Sequence, residues 1–183
     1  MQTGSKLTKG QKQLIILGST AVIFILLLTI QSFSLGYPRL EVSLGDELKN
    51  RFGKTKSGAE VVMDNEYVLI YFSASWCPPC RKFTPKLVKF YKKYKDKYDF
   101  EVVMVTSDYS NKEMKSYMKK YRMPWLTVPF ENYWIRNRLD SIYGGGGIPN
   151  LILVDKKGKV LSSSYMDGYY VGPNKVLLDL KKL

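Results

Sequence analysis

The 183-residue chain has two cysteines, Cys77 and Cys80, placed where the apolar pattern changes its period. Upstream, Val68-Leu69-Ile70-Tyr71-Phe72 is an unbroken apolar run of strand length. Downstream, Leu87, Phe90, Tyr91, Tyr94 and Tyr98 alternate with lysines at helical spacing. A Cys-x-x-Cys at the junction of a strand and a helix is a redox arrangement. A thiol at a helix N-terminus faces unpaired backbone N–H groups and the positive end of the helix dipole. Both favour thiolate and lower the pKa of the first cysteine below its free value of about 8.5. The second cysteine, one turn on, can attack a mixed disulfide and release the bound partner.

Other uses of two thiols fit less well. A structural zinc site takes four ligands, and the chain has no histidine and no third cysteine. A disulfide across so short a loop constrains little unfolded chain. The sequence therefore implies no metal and no cofactor beyond the thiols themselves.

The length suits one domain and an appendage. No charged residue occurs between Lys12 and Arg39, and Leu14 to Ile30 is almost wholly apolar. A helix over 14–35 would be about 33 Å long at 1.5 Å per residue, enough for a hydrocarbon core of about 30 Å. The expected organisation is a basic tail (1–13), a transmembrane anchor or uncleaved signal (14–35), a tether (36–58) and a folded domain (59–183). A cleaved signal is the alternative, with Ser32-Phe33-Ser34 or Ser34-Leu35-Gly36 as small-x-small sites. Lys6, Lys9 and Lys12 favour a cytoplasmic N-terminus in a single-pass protein, with the redox domain extracytoplasmic. There the cysteine pair would meet oxidising surroundings.

The net charge is +13. Between Lys86 and Lys97 it falls on the wet face of an amphipathic helix, and no compact nucleic-acid motif appears. Nucleic acid is not an expected partner, and the domain is expected to be monomeric.

Along the domain, Val61–Met63 and Tyr67–Phe72 read as two strands around the turn-like Asp64-Asn65, after a short helix near 46–52. A helix with Pro85 inside it runs from Cys77 to about Tyr94. Phe100–Thr106 is a buried strand, and Ser110-Asn111-Lys112-Glu113 opens a helix with capping-box spacing. Met123–Phe130 contains two prolines and reads as loop or edge structure. Tyr133–Tyr143 is helical and Gly144–Gly147 ends it, without the Lys-Ser/Thr of a phosphate loop. Asn150–Asp155 and Val160–Tyr165 form a hairpin, and Pro173 starts a last helix. This order predicts an α/β sandwich, a central mixed sheet flanked by helices.

Four stretches, YFSASWCPPCRKFTPKL (71–87), FEVVMVTSD (100–108), MPWLTVPF (123–130) and LDSIYGGGGIPNLILVD (139–155), resemble the tryparedoxin and nucleoredoxin branch of the thioredoxin superfamily. The resemblance covers about residues 59–165 and implies a thioredoxin-like fold. It also implies that Cys77 is the exposed nucleophile and Cys80 the buried resolving thiol. Trp76 would cover the disulfide, and Ile148 with a cis Pro149 would form the substrate-binding edge opposite it. Two departures stand out. Thioredoxins carry a buried Asp where this chain has Tyr71, so the proton acceptor for Cys80 is open, with Asp108 a candidate. Ser107 stands where many tryparedoxins have Trp.

The expected function is a membrane-anchored thiol–disulfide oxidoreductase that takes disulfide-containing protein substrates and an unidentified electron donor. Alternatives are an electron donor to a thiol peroxidase and a non-enzymatic redox-sensing module. Pro78-Pro79 supplies no imidazole to stabilise a thiolate, so the expected midpoint lies below the about −120 mV of the strongest oxidases.

Overall fold

A computed structural model describes residues 40–183. The expected tail and the anchor over 14–35 lie outside the described residues. Among the described residues, no helix is long and apolar enough to cross a membrane.

The fold opens with α1 (Leu40–Leu44), β1 (Leu48–Asn50), β2 (Thr55–Lys56) and α2 (Gly58–Asp64). The central part is β3 (Tyr67–Ser73), α3 (Pro78–Tyr98), β4 (Phe100–Thr106), α4 (Asn111–Lys120), β5 (Leu126–Thr127) and α5 (Tyr133–Tyr143). It closes with β6 (Asn150–Asp155), β7 (Val160–Ser163), β8 (Tyr165–Met166), β9 (Tyr169–Tyr170) and α6 (Pro173–Leu180). Seven strands form one mixed sheet in the order β2-β1-β5-β4-β3-β6-β7. The pairs β3–β4 and β4–β5 are parallel, whereas β6 runs antiparallel to β3.

The apolar runs are continuous because both sheet faces are covered, so successive side chains enter opposite cores. Leu69, Tyr71, Val102, Met104, Leu151 and Leu153 join one core with α3, α4 and α6. Val68, Ile70, Phe72, Val103, Val105, Ile152 and Val154 join the other with α1, α2 and α5.

Four expectations are corrected. Residues 40–58 are not a tether with a helix near 46–52. Leu40, Leu44 and Leu48 are fully buried, and β1 pairs with β5, so this segment belongs to the sandwich. Val61–Met63 is helix rather than strand. Ser57 Oγ accepts from Glu60 N–H at 3.1 Å, and the Glu60 carboxylate accepts from Ser57 N–H at 2.6 Å. That reciprocal capping box overrides the β preference of the two valines. Leu126–Thr127 is short but internal, lying between β1 and β4. Finally, the return strand stops at Ser163, and Tyr165–Met166 pairs instead with Tyr169–Tyr170 around a turn with Asp167 at φ 49° and Gly168 at φ 82°.

Helix α3 fixes the end of the molecule where the cysteines lie. Pro78 and Pro79 occupy its first turn, where a missing N–H costs nothing. Phe83, Leu87, Phe90 and Tyr91 bury one side of it. Asp99, in the left-handed region at φ 47°, ends it.

Candidate active site

Cys77 is the N-cap of α3, with extended backbone at φ −83°, ψ 110°. Its side chain therefore lies over the first turn, where Cys80 N–H points at Cys77 Sγ at 3.2 Å. Since neither proline carries an N–H, the Cys80 amide is the first donor the helix offers. The two sulfurs are joined in a disulfide, with Cα atoms 5.2 Å apart. Cys80 is completely buried, and Cys77, expected from the resemblance to be the exposed thiol, is itself only 3% exposed in the disulfide under Ile148. The exposed group beside the pair is therefore Trp76, at 45%.

The strand end opposite comes from β6. The Ile148–Pro149 peptide is cis, and the Ile148 carbonyl oxygen lies 3.6 Å from Cys77 Sγ. Ile148 packs against Ala74, Cys77 and Cys80. Tyr170 O–H donates to the Pro149 carbonyl at 3.0 Å, fixing the small β8–β9 hairpin to this edge. Two of the glycines between α5 and Ile148 are small because of what they touch. A Cβ on Gly144 would lie 2.3 Å from the Asp140 carbonyl, and one on Gly145 would lie 2.2 Å from the Tyr165 ring. The loop with Trp76, Ser107 and Ile148 lines a cleft of about 270 Å³ beside the disulfide.

The loop before Cys77 is latched to the end of β4. Ser75 N–H donates to Asp108 Oδ1 at 2.7 Å, and Thr106 O–H donates to Asp108 Oδ2 at 2.9 Å. Trp76 Nε1–H donates to the Ser107 carbonyl at 3.0 Å, and its ring stacks on Tyr109 at 5.8 Å. Arg81 Nη1 donates to the Ser75 carbonyl at 2.9 Å. Asp108, a candidate proton acceptor from the sequence, thus has both carboxylate oxygens engaged in holding this loop.

Behind Cys80 lies a cluster of four hydroxyls. Thr84 O–H donates to the Cys80 carbonyl at 2.9 Å, so its oxygen accepts from Tyr71 O–H at 2.9 Å. Ser73 O–H donates to Tyr71 Oη at 3.0 Å, and Tyr117 Oη lies 2.5 Å from Thr84 Oγ1. Burial pushes the Tyr71 phenol far above its ordinary range, with Tyr117 adding to the rise. Burial also raises Tyr117. The cluster is therefore neutral, and Tyr71 puts no carboxylate behind the cysteines.

The sequence-predicted residues Trp76, Cys77, Cys80, Ile148 and Pro149 come together around the disulfide. The latch of Ser75 to Asp108, the stacked Tyr109, the hydroxyl cluster and Tyr170 were not read from sequence. Each pairs residues from separate elements, and in that neighbourhood the sequence marked Ser107, Asp108 and the capping spacing after Tyr109 but not their contacts.

A family model described as thioredoxin-like matches residues 65–160. The chain belongs to that family. A nucleoredoxin from Xenopus laevis is 43% identical over 126 residues, which is 68% of this chain and 29% of the relative. The tryparedoxin of Trypanosoma brucei brucei is 39% identical over 108 residues, covering 59% of this chain and 72% of that one. Native tryparedoxin I from Crithidia fasciculata superposes with a TM-score of 0.61 at 36% identity, covering 69% of this chain and 86% of that chain. These relatives put the thioredoxin-like chain in the tryparedoxin and nucleoredoxin branch. It spans under a third of the length of the nucleoredoxin it matches.

Proposed function

We propose that this thioredoxin-like protein is a thiol–disulfide oxidoreductase that reduces or exchanges protein disulfides through Cys77 and Cys80. The observation that carries the reading is the position of Cys77 Sγ. It caps a helix, receives the Cys80 N–H at 3.2 Å and is linked to a fully buried second thiol. In the reduced state the same amide and helix end favour a Cys77 thiolate. That thiolate attacks one sulfur of a substrate disulfide, forming a mixed disulfide and expelling the other sulfur as a thiol. Cys80 then loses its proton and attacks Cys77 Sγ, which releases the second substrate thiol and forms the Cys77–Cys80 disulfide. Two electrons pass from the cysteine pair to the substrate. The Ile148 carbonyl beside Cys77 and the exposed Trp76 flank the point of attack, where an extended substrate segment can pair with the backbone.

The reading extends to location. Residues 14–35 anchor the chain with its N-terminus cytoplasmic, so the cysteines work beyond the membrane and need a donor that delivers electrons there. The apolar run and the three lysines before it support this.

The test uses the full chain. Cys80→Ser should accumulate substrate proteins as mixed disulfides on Cys77, and Cys77→Ser should accumulate none. Glutathione equilibration should give a midpoint at or below about −200 mV. A value near the about −120 mV of strong oxidases would reverse the assigned direction. In intact cells, a membrane-impermeant thiol reagent should label reduced Cys77. Labelling only after lysis would put the domain on the other side.

A further inference from the structure

We propose that the basic groove beside the disulfide docks an acidic segment of the substrate protein. The proposal deepens the redox reading and rests on it for the identity of the docked protein as substrate.

The groove holds about 410 Å³ between the start of α3 and one flank of α4. Ser75 and Arg81 line it on the cysteine side, and Ser110, Lys112, Ser116 and Lys120 line it on α4. Arg81 directly follows Cys80, and Ser75 is two residues before Cys77. The cysteine-side wall of the groove is thus continuous in the chain with the redox pair.

Its charge is net positive, with Arg81, Lys112 and Lys120 against Glu113. Arg81 donates one N–H to the Ser75 carbonyl, and neither it nor Lys112 nor Lys120 is in an ion pair among the described residues. The carboxylate in the groove, Glu113, accepts Tyr109 N–H at 3.0 Å and so is already committed to backbone. The Ser110 oxygen accepts Glu113 N–H, which leaves its own hydrogen to donate. Three cations and several hydroxyl donors line a cleft with one carboxylate, so its net charge is positive. That set recognises carboxylates. Cations grouped in a cleft also focus the field and raise the encounter rate of an oppositely charged partner, an effect that salt removes. An acidic segment next to the substrate's disulfide gains from both, and a basic one is repelled.

The experiment uses the full chain and a fluorescein-labelled ten-residue peptide rich in Asp and Glu, without cysteine. Binding is read by anisotropy. Lys112→Glu/Lys120→Glu should weaken it at least ten-fold, and Lys112→Ala/Lys120→Ala should weaken it by a smaller factor. Lys86→Glu/Lys89→Glu makes the same net-charge change on exposed α3 positions outside the groove and should change it less than two-fold. Binding should also fall steeply between low and high salt. Equal losses in the two Lys→Glu pairs, or no binding at low salt, would overturn the proposal.

A second readout separates this from the redox reading. The pre-reduced protein is mixed with either hydroxyethyl disulfide or a disulfide peptide flanked by Asp and Glu. The groove variants should slow its oxidation by the acidic peptide and leave oxidation by hydroxyethyl disulfide unchanged. If neither disulfide oxidises the wild-type protein, the redox reading falls, and with it the assignment of the groove's occupant as substrate.

Discussion

The two faces of the central sheet are built from different materials. On the α1–α2–α5 side the core is mainly Val, Ile and Leu, with Phe72 and Tyr143 as its fully packed aromatics. On the α3–α4–α6 side it contains Tyr71, Phe83, Phe90, Tyr91, Phe100, Tyr117 and Trp125. That second face also buries polar groups. It holds the four-hydroxyl cluster, and at its margin Glu101 accepts from Tyr91 O–H and pairs with Lys95, both at 2.9 Å. The Glu101 charge and burial together push the Tyr91 phenol far up, burial being the larger cause. The aliphatic face relies mainly on close packing, its buried side-chain hydrogen bonds ending on single carbonyls such as Tyr143 O–H to Gly158 at 3.0 Å. The aromatic face instead has a connected hydroxyl cluster that fixes where α3, and hence Cys77, sits. The difference suggests that each face fails in its own way.

The largest expected effect tests the aliphatic side. Ile70 is fully buried on β3, with Val103 and Ile152 as its neighbours across the sheet. Ile70→Ala should destabilise the protein by about 3 kcal/mol, from lost transfer energy and the cavity left behind. Urea unfolding measures this as a lowered midpoint with an unchanged slope. Because Ile70 faces away from α3, the redox midpoint should stay where it is. A shift in that midpoint would break the separation between the faces.

On the aromatic side, Thr84→Val keeps the shape and removes the hydroxyl that joins the Cys80 carbonyl, Tyr71 and Tyr117. Tyr71 and Tyr117 each retain Ser73 as a partner, so the expected cost is about 1–2 kcal/mol. Here the midpoint should move, since the deleted bond ends on Cys80 itself. A large stability loss with no change in midpoint would mean that the cluster only holds the core together.

Much of this contrast was legible in the sequence, and some was not. The runs 67–73, 100–106 and 150–155 are buried on both sides, so they stand out as continuous apolar segments of strand length, and the helices after 67–73 and 100–106 carry clear stripes. Residues 40–58 form elements of two to five residues, too short for a period to show. The spacing of Leu40, Leu44 and Leu48 was their one signal. Val61-Val62 misled by propensity, although Ser57 and Glu60 stood at capping distance. At the site, Trp76, Cys77 and Cys80 are neighbours in the chain and could be read directly, and the resemblance supplied Ile148 and Pro149. Asp108 was noticed, but its bond to Ser75 crosses 33 residues. No local pattern reports such a contact, and the same holds for the Tyr71–Thr84–Tyr117 cluster.

The smallest effect lies at the rim of the aromatic face, where Asp179 of α6 reaches back to β7. Its carboxylate accepts from Lys175 and from Ser162 O–H at 2.7 Å, with Lys182 at 3.1 Å. The Lys175 ammonium, followed by the Ser162 hydroxyl, holds the carboxyl well below the usual range. A depressed folded pKa stabilises the protein only where the group is charged. The contribution is therefore complete above the unfolded value of about 3.9 and fades as pH falls through it toward the lower folded value. The side chain remains 25% exposed, so solvent and salt screen the pair, and about 1 kcal/mol is the upper expectation. Asp179→Asn should cost that amount at pH 7, progressively less below about pH 4, and less in high salt at any pH. A cost that persists unchanged at pH 2 would assign the effect to the Ser162 hydrogen bond rather than to charge. The rim would then belong with the neutral hydroxyl chemistry behind Cys80.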